Sequence, residues 1–393
     1  MIGPSGAGAP PPQQVGRDGA PLVKLAFTEE QEELRRSVRR FLDDTSPMAE
    51  VRRLMDTDDG WDRAVWRAMA EQVGLQGIHV PEALGGAGLG HVELGVVLEE
   101  LGRSLACLPY FSTVGLAVNA LLASGDERAQ GELLPRLASG EATGTLAVLE
   151  APGSWDLDAL ATRARRDGDG WVVDGAKAFV VDGHTADVLL VAARSPGGLS
   201  VFAVEGGGAG VERVPVPQLD QTRKLARVEL AGAPATLVGE EGSAAMWLPR
   251  ALDLAATALA MEQVGGARRC LDITVAYAKE RHQFGRAIGS FQAIKHRCAD
   301  MLLRVESARA AAYYAAWAAA EDAEELPAVA SLARAYCSEA YSWVAGETIQ
   351  VHGGIGFTWE HDAHLYFKRA KASELLLGDP AHHREQMLRR IGV

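Results

Sequence analysis

The sequence predicts an α+β chain in three parts: a helical N-terminal unit, a middle unit of antiparallel strands and a C-terminal helical bundle. Three observations predict it. Apolar residues recur at helical spacing between Phe27 and Leu137. From about Ala142 short apolar runs alternate with Gly, Asp and Pro turns, at intervals of roughly ten residues. From Ala244 onward the helical period returns. The implied boundaries are 1–24 for a disordered tail, then 25–142, 143–240 and 241–393.

The stretch from Pro4 to Gly19 is rich in Gly, Pro and Gln, too polar and flexible to offset its own chain entropy. Order is expected from about Phe27. Thr28 with Gln31 three residues on has the form of a capping box, and Leu34, Val38, Phe41 and Leu42 follow at helical spacing. Trp61 to Val73 and His91 to Arg103 continue the helical pattern. Between them, Pro81 to Gly88 reads as a loop, because Gly and Pro interrupt both regular structures. Phe111 to Leu137 reads as one further helical stretch.

In the middle unit Ala226, Val228 and Leu230 alternate with Arg227 and Glu229, the period of a half-buried strand. Trp171 to Val173, Val188 to Val191 and Val201 to Val204 are similar short runs. Their spacing favours an antiparallel sheet or small barrel over βαβ units. In the last unit Leu271, Val275 and Ala278 share one helix face, as do Leu302 and Val305. Pro327 marks a helix–helix connection, and Gly353-Gly354-Ile355-Gly356 interrupts the helical pattern.

Composition narrows the function. With 393 residues, 48% hydrophobic and 23% charged, the chain can build a large core, and wholesale disorder is excluded. A formal net charge of -13 argues against nucleic acid or anionic membrane as the main partner. A local basic cluster can still serve a phosphate. Four cysteines lie far apart with no C-x-x-C pair, which reads as a reduced, cytoplasmic chain without a zinc site or disulfide framework. The start lacks a signal-peptide pattern, and no apolar run is long and charge-free enough to span a membrane.

Two segments carry chemistry. In Tyr277-Ala278-Lys279-Glu280-Arg281-His282-Gln283-Phe284-Gly285-Arg286, a basic stretch leaves a helix. It is either a solvated C-terminus favoured by the helix dipole or, through the planar fork of Arg281, a grip on phosphate. Phe284 and Gly285 then form a turn that admits another backbone closely. In Gln350-Val351-His352-Gly353-Gly354-Ile355-Gly356-Phe357-Thr358, three glycines in four positions allow backbone amides to face an anion or a flat ring, although a plain interhelical turn fits as well. It is not a Rossmann fingerprint, since no strand precedes it. His361, Asp362 and His364 are a poor match to known zinc spacing.

The run Tyr277-x-x-x-Arg281-x-Gln283-Phe284-Gly285-x-x-Ile288-x-x-Phe291-Gln292, with the later Gln350-x-x-Gly353-Gly354-x-Gly356-Phe357, resembles the C-terminal domain of the acyl-CoA dehydrogenase family. The helix–strand–helix layout fits too. The resemblance implies FAD held between the strand domain of one subunit and the C-terminal domain of a neighbour, in a dimer or a tetramer of two such dimers. Arg281, with Gln283 and Phe284 in the same turn, would reach the pyrophosphate. Gln292, Gln350, Gly353 and Gly354 would hold the cofactor's far end. It also implies the reaction: a carboxylate removes the proton α to a thioester, and the β-hydride passes to the flavin.

The resemblance also exposes what this chain lacks. The family's glutamate sits either before the last helix, in a segment of the form I-Y-E-G-T, or early in the first C-terminal helix. Those positions hold Leu377 and Ala255. The family's T-E-P-x-x-G-S-D loop reads Leu149-Glu150-Ala151-Pro152-Gly153-Ser154-Trp155-Asp156, and its W-I-T-N-G strand reads Phe179-Val180-Val181-Asp182-Gly183. Two flavin-facing hydroxyls are thus absent, and a CoA-contacting arginine is replaced by Ala256. The ending Phe357 to Tyr366 with Leu377-Gly378-Asp379 resembles an actinobacterial subgroup, several of whose members pair unlike chains in sterol breakdown. The expectation is a non-catalytic partner that completes FAD sites on a second dehydrogenase-like subunit. Its substrate would be an acyl-CoA or carrier-bound acyl group, and its acceptor an electron-transfer flavoprotein. Three other readings stay open: a self-sufficient enzyme with a relocated base (Glu262, less so Asp253 or Asp379), a flavoprotein of the same fold with different chemistry, and a flavin-free structural subunit. Glu262 could instead pair with Arg268 or Arg269.

Overall fold

The computed structural model describes residues 27–151 and 153–393, so the expected tail lies outside the described residues. Three helices open the chain: α1 (Glu29–Thr45), α2 (Met48–Met55) and α3 (Arg63–Val73). The capping box starts α1 as expected: Gln31 N–H donates to Thr28 Oγ1 at 3.2 Å, and Thr28 N–H to Gln31 Oε1 at 3.0 Å. The Pro81–Gly88 segment is a loop with a single tight turn at Glu82–Leu84, and α4 (His91–Ser104) follows.

The expected single stretch from Phe111 to Leu137 is instead broken. A wide, π-type segment at Phe111–Val118 runs into α5 (Asn119–Ser124), and α6 (Glu127–Ala138) begins anew. The break has a local cause. Gly125 takes a left-handed φ of 65°, and the Asp126 carboxylate then caps α6 by accepting from Arg128 and Ala129 N–H.

Seven strands follow: β1 (Gly144–Ala147), β2 (Arg163–Asp167), β3 (Gly170–Val181), β4 (Val188–Ser195), β5 (Gly198–Glu205), β6 (Val211–Pro215) and β7 (Leu225–Val238). Pairings β4–β2, β2–β3, β3–β7, β7–β5 and β5–β4 close a ring, so the small-barrel expectation is met. Uniform antiparallel order is not: β1 and β2 both pair with β4 in parallel. Val173, Leu189, Val191, Phe202 and Val228 fill the barrel interior.

The C-terminal unit holds α7 (Ala244–Glu280), a two-residue hairpin of β8 (His282–Gln283) and β9 (Arg286–Ala287), α8 (Gln292–Ala320), α9 (Leu326–His352), α10 (Ala363–Leu375) and α11 (Pro380–Arg390). Pro327 lies in the first turn of α9, and Gly353–Phe357 forms a tight turn after it. Val305 is fully buried, but Leu302 is 45% exposed, so the two do not share an inward face. Helical periodicity marks an apolar stripe without saying whether it faces the core or the outside.

One hydrophobic core runs through all three units, from Val38 and Leu98 through Leu146 and Leu190 to Leu248 and Val264. Helices α4 and α7 cross at bare backbone. A Cβ on Gly102 would lie 2.0 Å from the Glu262 carbonyl oxygen, and one on Gly265 only 1.8 Å from that of Glu99. This crossing sets Glu262 deep between the N-terminal and C-terminal units.

Candidate active site

The barrel, α7 and the end of α10 enclose a cavity of about 610 Å³. Its walls are mostly apolar: Leu116, Leu146 and Leu149, then Val180, Leu252 and Leu377. Two strained backbone positions shape it. A register shift between Lys177 and Val180 in β3 accompanies a φ of 52° at Phe179, whose ring is 48% exposed beside the cavity. Leu377 takes a φ of 62°, uncommon for a residue with a Cβ. Arg334, fully buried on α9, fixes that loop by donating to the carbonyl oxygens of Ser373 and Leu376. His383 on α11 adds a bond to the Leu377 carbonyl oxygen at 3.0 Å. Burial costs Arg334 its charge preference and brings its pKa down to about 10. The loop that would carry the base is therefore held in shape, with a leucine at its tip.

Among the described residues Asp220 is the one carboxylate lining this cavity, and it is occupied. Arg369 Nε donates to Asp220 Oδ2 at 2.6 Å, Arg369 Nη1 to Glu262 Oε1 at 2.9 Å, and Arg369 Nη2 to Thr222 Oγ1 at 2.6 Å. Arg223, which also lines the cavity, pairs with the second oxygen of Glu262. Burial disfavours the Arg369 cation, but Asp220 and Glu262 outweigh it and hold its pKa above the usual value. Glu262 is thus clamped between two guanidiniums, outside the main cavity. Its partners are not Arg268 or Arg269; Arg268 turns away to Asp272 and Glu306. Ala255 and Ala256 are fully buried in the core.

The other acids considered are also engaged. Asp379 caps α11 by accepting from His382 N–H at 2.7 Å. Asp253 pairs with Arg390 at 2.8 Å, and burial lifts its pKa to about 6. It lines a side chamber of about 220 Å³ that shares Trp155, Leu252 and Leu377 with the main cavity. Beneath the barrel face, Lys177 is fully buried and donates to Glu150 at 2.7 Å and to the Val148 carbonyl oxygen at 3.1 Å. Burial opposes the Glu150 charge, yet Lys177, Thr162 and two backbone amides hold its carboxyl at about 2. This pair anchors Leu149 and Glu150 beside the cavity.

The residues singled out in the C-terminal unit lie on its outside. Arg281, Gln283, Phe284, Gln292, Gln350, Gly353 and Gly354 are all exposed. The Tyr277 ring stacks on His352 at 4.3 Å, which joins the end of α7 to the end of α9 and brings the two segments to one side. Arg281 makes no ion pair among the described residues, and the Gln292 and Gln350 amides make no side-chain bond there. Gly353 has a φ of 63°, with open space where a Cβ would stand. Phe284 has a φ of 56° and is 92% exposed. A free guanidinium, free amides and a bare glycine turn fit a pyrophosphate nucleotide supplied from outside this chain. The barrel face fits a flavin less well, because Leu149 and Val181 line it without a hydroxyl. His361 and Asp362 are drawn elsewhere: Asp362 pairs with Arg52 at 2.7 Å, and His361 Nδ1 accepts from Ala363 N–H. Among the described residues no His, Cys, Asp and Glu cluster is positioned to hold a metal.

Sequence reasoning missed Arg223, Asp220, Arg369 and Trp155. The compact Asp220-x-Thr222-Arg223 run before β7 was the available signal. Arg369 carried none, since its partners lie far off in sequence, Asp220 and Thr222 in the middle unit and Glu262 on α7.

Comparison with known proteins agrees with this architecture. Residues 28–141 match "Acyl-CoA dehydrogenase, N-terminal domain", 145–227 the middle domain and 245–392 the C-terminal domain. The chain is 39% identical over 366 residues to acyl-CoA dehydrogenase IpdE2 of Mycolicibacterium smegmatis, covering 92% of this chain and 98% of that one. Among solved structures it resembles a Tcur3481–Tcur3483 steroid ACAD variant (TM-score 0.84, 35% identity, 92% of this chain and 98% of that one). It also resembles a chain of the ChsE4–ChsE5 complex from Mycobacterium tuberculosis (TM-score 0.85, 31% identity, 94% and 99%). With all three domains matched in order, the chain belongs to the acyl-CoA dehydrogenase family, oxidoreductases acting on CH–CH bonds.

Proposed function

We propose that this chain is the partner subunit of a hetero-oligomeric, FAD-dependent acyl-CoA dehydrogenase, one that lends cofactor contacts and supplies no base. One observation carries the reading. The cavity where an acyl thioester would react presents Leu377 at its base position, and Asp220, the one carboxylate on its wall, is tied to Arg369. Abstraction of the weakly acidic α-proton needs a positioned base with a pKa suited to the task. A thioester tail bound in this apolar cavity meets none, so turnover needs the unlike chain.

Arg281, Gln283, Phe284, Gln292, Gln350, Gly353 and Gly354 would grip the nucleotide seated against that neighbour. When bound, FAD supplies the hydride acceptor. Two solved structures with two-chain names, the steroid ACAD and ChsE4–ChsE5, support a divided enzyme, and the first supports a steroid-derived acyl substrate. Similarity to an electron-transferring flavoprotein structure of Acidaminococcus fermentans (TM-score 0.89, 27% identity) is compatible with flavoprotein-mediated electron transfer. Co-expression with an unlike dehydrogenase chain tests the reading. The complex should be yellow and active, and the lone chain inactive.

A self-sufficient enzyme has one observation in its favour, the Asp253 carboxyl lifted to about 6 beside Leu377. Against it, Arg390 holds Asp253 in the side chamber, and Glu262 is doubly paired. Asp253→Asn would abolish turnover by the lone chain only under that reading.

A further inference from the structure

The hairpin that displays Arg281 and Phe284 has little of its own to hold it. Its ladder is two pairs, His282 with Ala287 and Gln283 with Arg286, and residues 281–286 are all exposed. A two-stranded hairpin is marginal in water without a packed face. Its tip is strained as well. Phe284 at a φ of 56° and Gly285 at 77° form a turn of two left-handed residues, a conformation that suits glycine and disfavours a bulky side chain. Such a tip persists only where its surroundings over-determine it.

Three contacts tie it down. Ile288 N–H donates to the Arg281 carbonyl oxygen at 2.8 Å. The Phe284 ring meets the Phe291 ring edge to face, with centroids 6.2 Å apart and planes at 86°. The Arg286 guanidinium carbon lies 4.0 Å from the centroid of that same Phe291 ring. A cation over a ring at this distance is attracted by the ring's negative face. Among the described residues Arg286 makes no ion pair that would compete. Phe291 is half-buried and directly precedes α8, a helix of 29 residues, so both ring contacts run to a rigid element.

We propose that Arg286 is a positioning residue for the cofactor: stacked on Phe291, it braces the ring that in turn holds Phe284 and the Arg281 turn ready for the nucleotide. The inference rests on the reading that this hairpin reaches FAD on the unlike chain, and it adds how the grip is held in shape before the nucleotide arrives. Preorganisation of this kind raises affinity by removing the cost of ordering from the binding step. Arg286 is then the brace, and Arg281 the group that touches phosphate.

The test uses the assembled complex, stripped of flavin and titrated with FAD at low and at high salt. Arg286→Ala should weaken FAD binding about threefold, as expected for one exposed cation–ring contact. Phe291→Leu should weaken it at least as much, and the double variant no more than Phe291→Leu alone, because both substitutions break one contact. Arg286→Lys, which keeps a cation over the ring, should retain most of the affinity. The loss should be equal at both salt concentrations, since a brace neutralises no phosphate. Unaltered affinity in both single variants, additive losses, or a loss confined to low salt would overturn the brace; the last would make Arg286 a direct phosphate contact. Arg281→Ala separates this inference from the reading beneath it. If that variant binds FAD as tightly as the unaltered complex, the hairpin does not reach the nucleotide and both fall. If it loses FAD while the Arg286 and Phe291 variants do not, only the brace falls.

Discussion

At the scale of single residues, replacement of polar by apolar groups defines the site. Leu377, Leu149 and Val181 line one cavity, and each stands where the resemblance placed a carboxylate or a hydroxyl. Glu262, the candidate substitute, does structural work between Arg223 and Arg369. Removing it strands the Arg223 guanidinium and takes one of two carboxylates from Arg369, so Glu262→Leu should cost about 3 kcal/mol in denaturant unfolding. An unchanged unfolding midpoint would contradict that role. Arg281 is the opposite case: it is exposed and makes no ion pair among the described residues. Arg281→Ala should leave the melting curve unchanged and remove bound flavin absorbance from the assembled complex; full retention of flavin would refute its assignment. The apolar base position was legible in the sequence because a motif frames it. The partners of Glu262 were not, because Arg223, in the turn before β7, and Arg369, on α10, are distant from it along the chain and meet it only in the folded structure.

At the scale of elements, the cavity depends on how loops are pinned. Arg334 and His383 hold the loop at Leu377, and Lys177 with Glu150 holds the segment at Leu149 on the barrel. The Glu150 carboxyl sits at about 2 in the folded chain, against an ordinary value of 4.5. A depressed carboxylate pKa means stability that is fully present above the unfolded value and lost as pH falls through the folded one. Acid titration of stability should therefore show a loss between about pH 4.5 and pH 2, and Glu150→Gln should remove that portion. An identical acid profile in the variant would show that the pair does not anchor the loop. Element types and order were readable from periodicity, because a core face must repeat with its own helix or strand. The break at Gly125, the parallel β1–β4 and β2–β4 pairings and the outward Leu302 were not. The pairings and Leu302 depend on which surface a neighbouring element presents, whereas the break rests on a local Gly125-Asp126 cap that the longer apolar pattern masked.

At the scale of the whole molecule, large apolar side chains remain exposed on the C-terminal unit: Met246 at 82%, Phe284 at 92%, Leu303 at 67%, Phe357 at 74% and Trp359 at 58%. Apolar groups of this size mark a surface that another chain covers when they form one contiguous patch. Phe284→Asp should weaken subunit association in sedimentation experiments while leaving the chain folded, and unchanged assembly would remove the hairpin from the interface. Among the described residues no helix is long and apolar enough to cross a membrane, so this exposure is not explained by a span. The division of labour between unlike subunits is tested most directly by flavin bleaching. The pure chain, supplied with FAD under anaerobic conditions, is mixed with a panel of acyl-CoA thioesters, with and without an unlike dehydrogenase chain that retains the glutamate. The expected result is no bleaching by the chain alone and bleaching once the second chain is added. Rapid bleaching by the chain alone would contradict the proposal that it has no base of its own.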